Sequence, residues 1–338
     1  MNKKRVLLIS LLTLSLPWVG CNKSGKLNEK STFKAPSGPV ELKLKWPLGE
    51  RVVQVLDMTM NMEMAMPGQP APMKTEMTMG QSYGMMVLQA PPDGTHELEM
   101  DFLSARMSSK MGERTLLDYD SGKKATTNNV SPVADMFGKI VGSKIRFFLD
   151  VSNEVTRIEG VDDLVNRLTT GATAEALAPL KSMFSEGYFK QMMSANQFLP
   201  RQAVQPGDTW PVQMEIPMAT MGTMVMAYDV TLQGWEMHGK RNCARLEFRG
   251  TMQTKPDPNA KAGAMSISIL DGNTSGAAWF DPELGITIDT KMNQDLKMVV
   301  RVPIPQRAKA GAKPAAPQMQ SITNQMSQVM TIKLESVK

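Results

Sequence analysis

The chain has 338 residues, of which 42% are apolar and only 6% aromatic, while methionine occurs 31 times. A chain of this length can bury one large core or two smaller ones. The formal net charge is +5, but Lys3, Lys4 and Arg5 lie in a predicted export signal, and without them 35 basic side chains stand against 33 acidic ones. This near neutrality, with no dense basic patch, argues against a nucleic-acid partner.

The first twenty residues are predicted to be an export signal. A basic cluster at residues 3–5 precedes an apolar run at residues 6–16, which Pro17 interrupts. This run is too short for a good membrane-spanning helix, and its basic start is typical of a signal peptide. The chain is therefore expected to leave the cytoplasm.

The end of this segment resembles a bacterial lipoprotein signal, in which a small residue precedes a cysteine that is lipidated and becomes the new N-terminus. Val19, Gly20 and Cys21 match that pattern, whereas Trp18 stands where leucine is usual. The resemblance implies lipidation of Cys21 and a membrane anchor in the cell envelope. Asn22 favours sorting to the periplasmic face of the outer membrane. A plain secretory signal with an unrelated cysteine is the alternative.

The rest of the chain divides by composition. Residues 21–39 are rich in polar residues, Gly and Pro and predict a flexible tether. Strand patterns predict an N-terminal antiparallel lobe over residues 40–160 and a C-terminal lobe over residues 201–338. Apolar residues at three- and four-residue spacings predict two or three short helices over residues 161–200. A Pro-, Ala- and Lys-containing stretch at residues 303–317 predicts a mobile surface loop.

The most regular pattern is a run of methionines at every second position from Met58 to Met66, with Thr, Asn, Glu and Ala between them. Side chains alternate between the two faces of a strand, so this spacing places all five methionines on one face. The Pro-rich residues 67–72 predict a hairpin loop, and the return strand carries Met73, Met77 and Met79 at odd positions. The predicted apolar face consists of Met58, Met60, Met62, Met64, Met66, Met77 and Met79.

Further strands are predicted on either side of this hairpin. Residues 40–46 alternate like a strand, and after a turn at residues 91–94 the next strand carries Leu98, Met100 and Phe102 on one face. A polar loop is predicted at residues 122–132. Cys243 lies in an alternating segment and has no partner if Cys21 is lipidated, so it is expected to be a small buried residue.

Similar turn and strand motifs in the two lobes suggest a duplicated antiparallel unit. Residues 206–210 (Pro-Gly-Asp-Thr-Trp) and 280–285 (Phe-Asp-Pro-Glu-Leu-Gly) resemble motifs of a family of uncharacterised bacterial envelope lipoproteins. That resemblance implies a β-rich secreted domain and carries over no catalytic residues. The predicted fold class is mainly β: two related antiparallel lobes forming curved sheets or barrel-like units, with a short helical segment between them. A looser likeness is to lipoprotein carriers whose curved sheet and helical lid hold an acyl chain.

Residues 80–84 match the G-x-S-x-G motif of serine hydrolases, with Ser82 as the nucleophile. That motif needs a sharp turn between a strand and a helix, but here it lies inside a predicted strand. Both histidines follow Ser82, and His238 is the candidate base for the expected chain order of serine, acid and histidine. An envelope serine hydrolase is therefore the third hypothesis, and no catalytic residue is expected.

Methionine pairs and runs also fit a Cu(I) site, because Cu(I) prefers soft thioether ligands. The two histidines and one free cysteine are a poor ligand set for other metals, and the methionines are spread over nearly every strand. This spread favours a core or cavity lining. The preferred hypothesis is a non-enzymatic envelope protein that holds an apolar ligand or an envelope protein. A Cu(I) binder is the alternative; no other metal and no cofactor is expected.

Overall fold

The computed structural model describes most of the chain. It describes residues 35–66, 68–69, 71–123, 132–170, 184–193, 198–217, 222–256, 265–304 and 318–338. The strands are β1 (Arg51–Ala65), β2 (Met73–Gln89), β3 (His96–Met111), β4 (Arg114–Asp120), β5 (Lys144–Leu149), β6 (Val155–Glu159), β7 (Thr209–Pro217), β8 (Thr223–His238), β9 (Arg241–Lys255), β10 (Ser266–Asp281), β11 (Ile286–Ile304) and β12 (Gln318–Val337). The helices are α1 (Pro132–Ile140), α2 (Val161–Thr169) and α3 (Glu186–Met193).

All twelve strands belong to one antiparallel sheet. The strand order is β6-β5-β3-β2-β1-β12-β11-β10-β9-β8-β7. The remaining strand, β4, pairs with the second part of β3, whereas β5 pairs with its first part. The predicted mainly antiparallel β class is confirmed. The two halves of the sequence share one sheet because β1 pairs with β12 along its whole length, with Met58 opposite Met330. The sheet is open, and α3 contacts both of its edge strands, β6 and β7.

One face of the sheet is buried, and we call it the inner face. Along β11, Met292, Gln294 and Leu296 are buried, while the residues between them are exposed. The same alternation runs along β12 and β1, as expected for strands with one face against the core. The core is continuous over both halves of the sheet. The strand predicted from the alternating methionines is therefore confirmed, with its buried residues on the inner face.

Residues 40–46 are predicted to form a strand, and this prediction is wrong for most of the segment. Only Val40 forms a bridge, with Val204. The backbone N–H of Lys45 donates to the carbonyl of Gly285 at 3.1 Å, and the Trp46 Nε1–H donates to Asn153 Oδ1 at 2.7 Å. These bonds carry the segment across the ends of the strands. It alternates like a strand because its apolar side chains face the core.

The helices agree only partly with the prediction. Helix α2 matches, and its buried Val161, Leu164 and Leu168 lie at the predicted spacing. Helix α3 begins at Glu186 within the predicted helical segment, and residues 171–183 lie outside the described part of the chain. Helix α1 was not predicted; proline suits its first position because a first-turn N–H has no intrahelical partner. No helix within the described ranges is long and apolar enough to cross a membrane.

Candidate ligand-binding face

Five methionines form a straight line across five adjacent strands of the inner face, and we call this line the methionine row. Its members are Met107, Met79, Met58, Met330 and Met292, on β3, β2, β1, β12 and β11. Each is directly opposite the next, and none is more than 6% exposed. Directly opposite residues have Cβ atoms about 4.5–5.5 Å apart. The row is thus a continuous surface of flexible thioether side chains.

The predicted apolar face is buried at one end and partly open at the other. Four of its methionines are buried, namely Met58, Met60, Met77 and Met79. Met62 and Met64, near the end of β1, and Met66, just after it, are half-buried. Met62 lies opposite the buried Met326 of β12, so the apolar surface continues across the sheet at that level.

A second line crosses the inner face beside the methionine row, and we call it the polar row. Its members, from β3 to β10, are Ser109, Met77, Met60, Gln328, Gln294 and Thr274. The four polar members are each at most 5% exposed. The sequence analysis missed them. The available signal was a glutamine in the apolar phase of an alternating strand, as at Gln294 between Met292 and Leu296.

On β8 and β9 the inner face carries an aromatic cluster. The Tyr228 and Phe248 rings meet edge to face, with centroids 6.0 Å apart, and Phe198 packs edge-on against both. The Tyr228 hydroxyl donates to the sulphur of Met226 at 3.0 Å, and burial raises the pKa of this phenol. The Phe248 ring also covers Gly276, where an added Cβ would lie 2.4 Å from it.

A cavity of about 70 Å³ lies on the same face, near the start of β1. Val52 and Met85 line it and are direct partners, six residues along their strands from the Met58–Met79 pair. Its remaining apolar lining includes Trp46, Val87, Leu284, Ile286 and Val337. The residues 44–47 cover this end of the inner face. The cavity is therefore adjacent to the predicted apolar face without being lined by its members.

The structure does not place Ser82 and His238 as a serine hydrolase would require. Ser82 lies within β2 and shares a 2.5 Å hydrogen bond with Ser104, so the motif is not at a strand-to-helix turn. His238 is on β8, and five strands separate β8 from β2. His238 instead bonds Asp289 at 2.9 Å and stacks on Trp279. The sheet keeps the proposed nucleophile and base apart.

The next features are the two cysteines and the side chains that could bind a metal ion. Cys243 is fully buried as predicted, and burial raises the pKa of its thiol to about 12, so it stays protonated. Cys21 and the signal lie outside the described residues. No cluster of three or more His, Cys, Asp or Glu side chains that could hold a metal ion occurs in the described part of the chain. Methionine thioethers are not among these ligand types.

The fold and this face define a mainly β protein built on one long antiparallel sheet. Residues 93–287 match the model of a family of unknown function, DUF6263, and the chain belongs to this family. Both motif segments singled out in the sequence, residues 206–210 and 280–285, lie within the matched region. No curated protein matches the sequence.

Several solved structures are similar to this chain over most of its length. One is a protein from Bacteroides fragilis described as exported, with a YmcC-like fold (10% identity, 88% of this chain and 100% of that chain, TM-score 0.22). Another is DynF from the dynemicin biosynthesis pathway of Micromonospora chersina (6%, 92% and 95%, TM-score 0.19). A third is a DUF1329 family protein from Desulfovibrio piger (9%, 85% and 85%, TM-score 0.14). At these TM-scores the likenesses carry no argument about function.

Proposed function

We propose that this chain is a lipid-anchored envelope protein with a non-enzymatic role, which holds an apolar ligand against its inner face. The observation that carries the proposal is the methionine row. Five buried thioether side chains in line offer a long apolar surface with few branched side chains. Methionine is unbranched and polarizable, so such a surface can adapt to apolar partners of variable shape.

Burial of the row also stabilises the sheet. Burial of each methionine side chain contributes roughly 1.5–3 kcal/mol to the free energy of folding, so a role in the core would by itself explain these residues. Two further features support binding. The face becomes half-exposed at Met62 and Met64, and a cavity lies at its other end. Both give an apolar chain access to the same surface.

The proposed anchor places this surface near a membrane. If Cys21 is lipidated, residues 21–39 connect the lipid to the segment that covers the cavity. A flexible tether of this length has a root-mean-square span of about 25 Å. The cavity would then stay within reach of the lipid surface, where apolar ligands are found.

The test is native mass spectrometry of the soluble form beginning at Asn22, purified from an envelope extract of the producing cells. A retained acyl species is the expected result. Met64→Gln, on the half-exposed part of the face, should reduce its occupancy, whereas Glu63→Gln on the opposite face of β1 should not. A bare mass, together with no binding of a fluorescent alkyl probe, would reject apolar binding and leave a structural or protein-binding role.

A Cu(I) site is the second candidate function, and one observation favours it. Met58 has Met79 and Met330 as direct neighbours on its two sides, so three thioether side chains stand side by side on adjacent strands. Three or four soft sulphur ligands suit Cu(I). Copper that survives desalting in a one-to-one ratio, and is lost in Met58→Leu, would favour this candidate over the first.

A further inference from the structure

The polar row is unusual because it lies between apolar rows deep in the core. Thr274 and Gln294 are 4% and 2% exposed, and they are direct partners on β10 and β11. Gln328 of β12 is opposite Gln294. Three hydrogen-bonding side chains therefore stand side by side on adjacent strands, which are spaced about 4.8 Å apart.

Some of these buried polar atoms have no hydrogen-bond partner within the described protein. Gln294 Oε1 and Thr274 Oγ1 are both unpaired. The amide nitrogen of Gln294 makes only a 3.7 Å contact to the sulphur of Met292. Ser109 Oγ, Thr290 Oγ1 and Asn324 Oδ1, on the same face, also have no hydrogen-bond partner within the described protein. Native cores leave few such groups unpaired, since each costs free energy.

The charge of the surroundings restricts what could pair with them. From β3 to β10, the polar row and the two rows beside it on the same face contain Met, Leu, Gly, Ser, Thr and Gln residues and no charged side chain. An ionised group placed here would be buried without a counter-charge, which is strongly unfavourable. A neutral hydroxyl, ester or amide can both donate to and accept from these side chains.

We propose that Thr274 and Gln294, together with Gln328, form a polar subsite for the uncharged, hydrogen-bonding head group of an amphiphile. Its apolar chain lies along the methionine row, two residues away on the same face. Rotamer changes of the flanking methionines make room for it, because unbranched side chains adapt readily. This inference rests on the proposed function, since it names the class of the ligand.

The experiment uses three fluorescent probes with the same pyrene-labelled decyl chain: the alkane, the primary alcohol and the ionised carboxylate. Binding to the soluble form beginning at Asn22 is followed by fluorescence titration. The alcohol should bind about three- to tenfold more tightly than the alkane, the size expected for one added hydrogen bond. The carboxylate should bind most weakly, because burial of its charge is not compensated.

The key variant is Gln294→Met, which keeps the length of the side chain and removes the amide. It should lower the affinity for the alcohol to that for the alkane and leave the alkane unchanged. Leu296→Met, two residues along on the same strand and face, is the matched control and should alter neither affinity. Urea unfolding checks that each variant folds. If Gln294→Met does not fold, Thr274→Val, of the same shape as threonine, carries the same test.

The outcomes separate the two proposals. If no probe binds the unaltered protein, the proposed function fails, and the subsite fails with it. If all three probes bind equally well and Gln294→Met changes nothing, apolar binding stands and the polar subsite is rejected, as expected if water alone occupies the polar row. Tightest binding of the carboxylate would reject the uncharged head group.

Discussion

The two ends of the inner face are built from different side chains on the same backbone plan. On β1, β2, β3, β11 and β12 the face carries the methionine row. On β8 and β9 it carries Tyr228 and Phe248 beside the buried Met226 and Met252, and Phe198 packs against both rings with centroid distances of 6.1 and 5.2 Å. Both ends are buried to a similar degree. Burial therefore does not distinguish them, but the freedom of the side chains does.

The difference separates an adaptable surface from a fixed one. A methionine has three rotatable side-chain bonds and no ring, so it can repack around a guest at little cost. The aromatic end is held by edge-to-face ring contacts, by the Tyr228–Met226 hydrogen bond and by the Phe248 ring over Gly276. We expect the aromatic end to keep the sheet in shape while the methionine end accommodates the ligand.

The largest effect should come from Gly276→Ala at the aromatic end. An added Cβ would lie 2.2 Å from the carbonyl oxygen of Lys291 and 2.4 Å from the Phe248 ring, and neither can move easily. The free energy of unfolding should fall by about 3 kcal/mol. Urea unfolding with an unchanged m-value would measure this.

Gly80→Ala on β2 is the matched control for that variant. The atoms nearest to its new Cβ all belong to the flexible Arg106 side chain, which is 60% exposed. Arg106 can move aside, so the change should stay within about 0.5 kcal/mol. If both variants lost the same free energy of unfolding, the aromatic end would be no more rigid than the surroundings of the mobile Arg106 side chain, which would contradict the distinction.

An intermediate effect is expected from the same substitution at both ends. Met226→Leu removes the acceptor of the buried Tyr228 hydroxyl and should cost about 1–3 kcal/mol. Met58→Leu lies in the methionine row, conserves volume and should cost less than about 1.5 kcal/mol. Chemical denaturation of both proteins side by side checks this. A larger loss for Met58→Leu would show that the position of its sulphur matters, as a metal site requires.

The smallest effect concerns His96, at the start of β3 and away from the methionine row. Burial lowers the pKa of His96, and the nearby Asp93 carboxylate offsets part of this. The unfolded chain therefore binds more protons in mildly acidic solution, so stability should decline as the pH falls below about 6.5. His96→Gln should flatten this decline between pH 7.5 and 5.5, as measured by thermal unfolding. An identical pH dependence in both proteins would exclude His96 as its source.

Local pattern was sufficient for part of this molecule. Methionine at every second position determined a strand with one buried face, because side chains alternate strictly along an extended chain. Turn residues placed the first hairpin, and three- and four-residue spacing located α2. The buried Cys243 followed from its alternating neighbours. In each case, residues close in sequence carry the information.

Contacts between distant residues decided the rest. Local pattern does not indicate which strands are neighbours in the sheet, so the β1–β12 pairing that joins the two halves could not be predicted from it. The methionine row exists only through that pairing. Likewise, Gln294 and Thr274 form a polar row only because register aligns them across β10 and β11. Residues 40–46 carry a strand's alternation, but tertiary hydrogen bonds hold them across the strand ends. Pattern determines which way a side chain faces, whereas its neighbours depend on the whole fold.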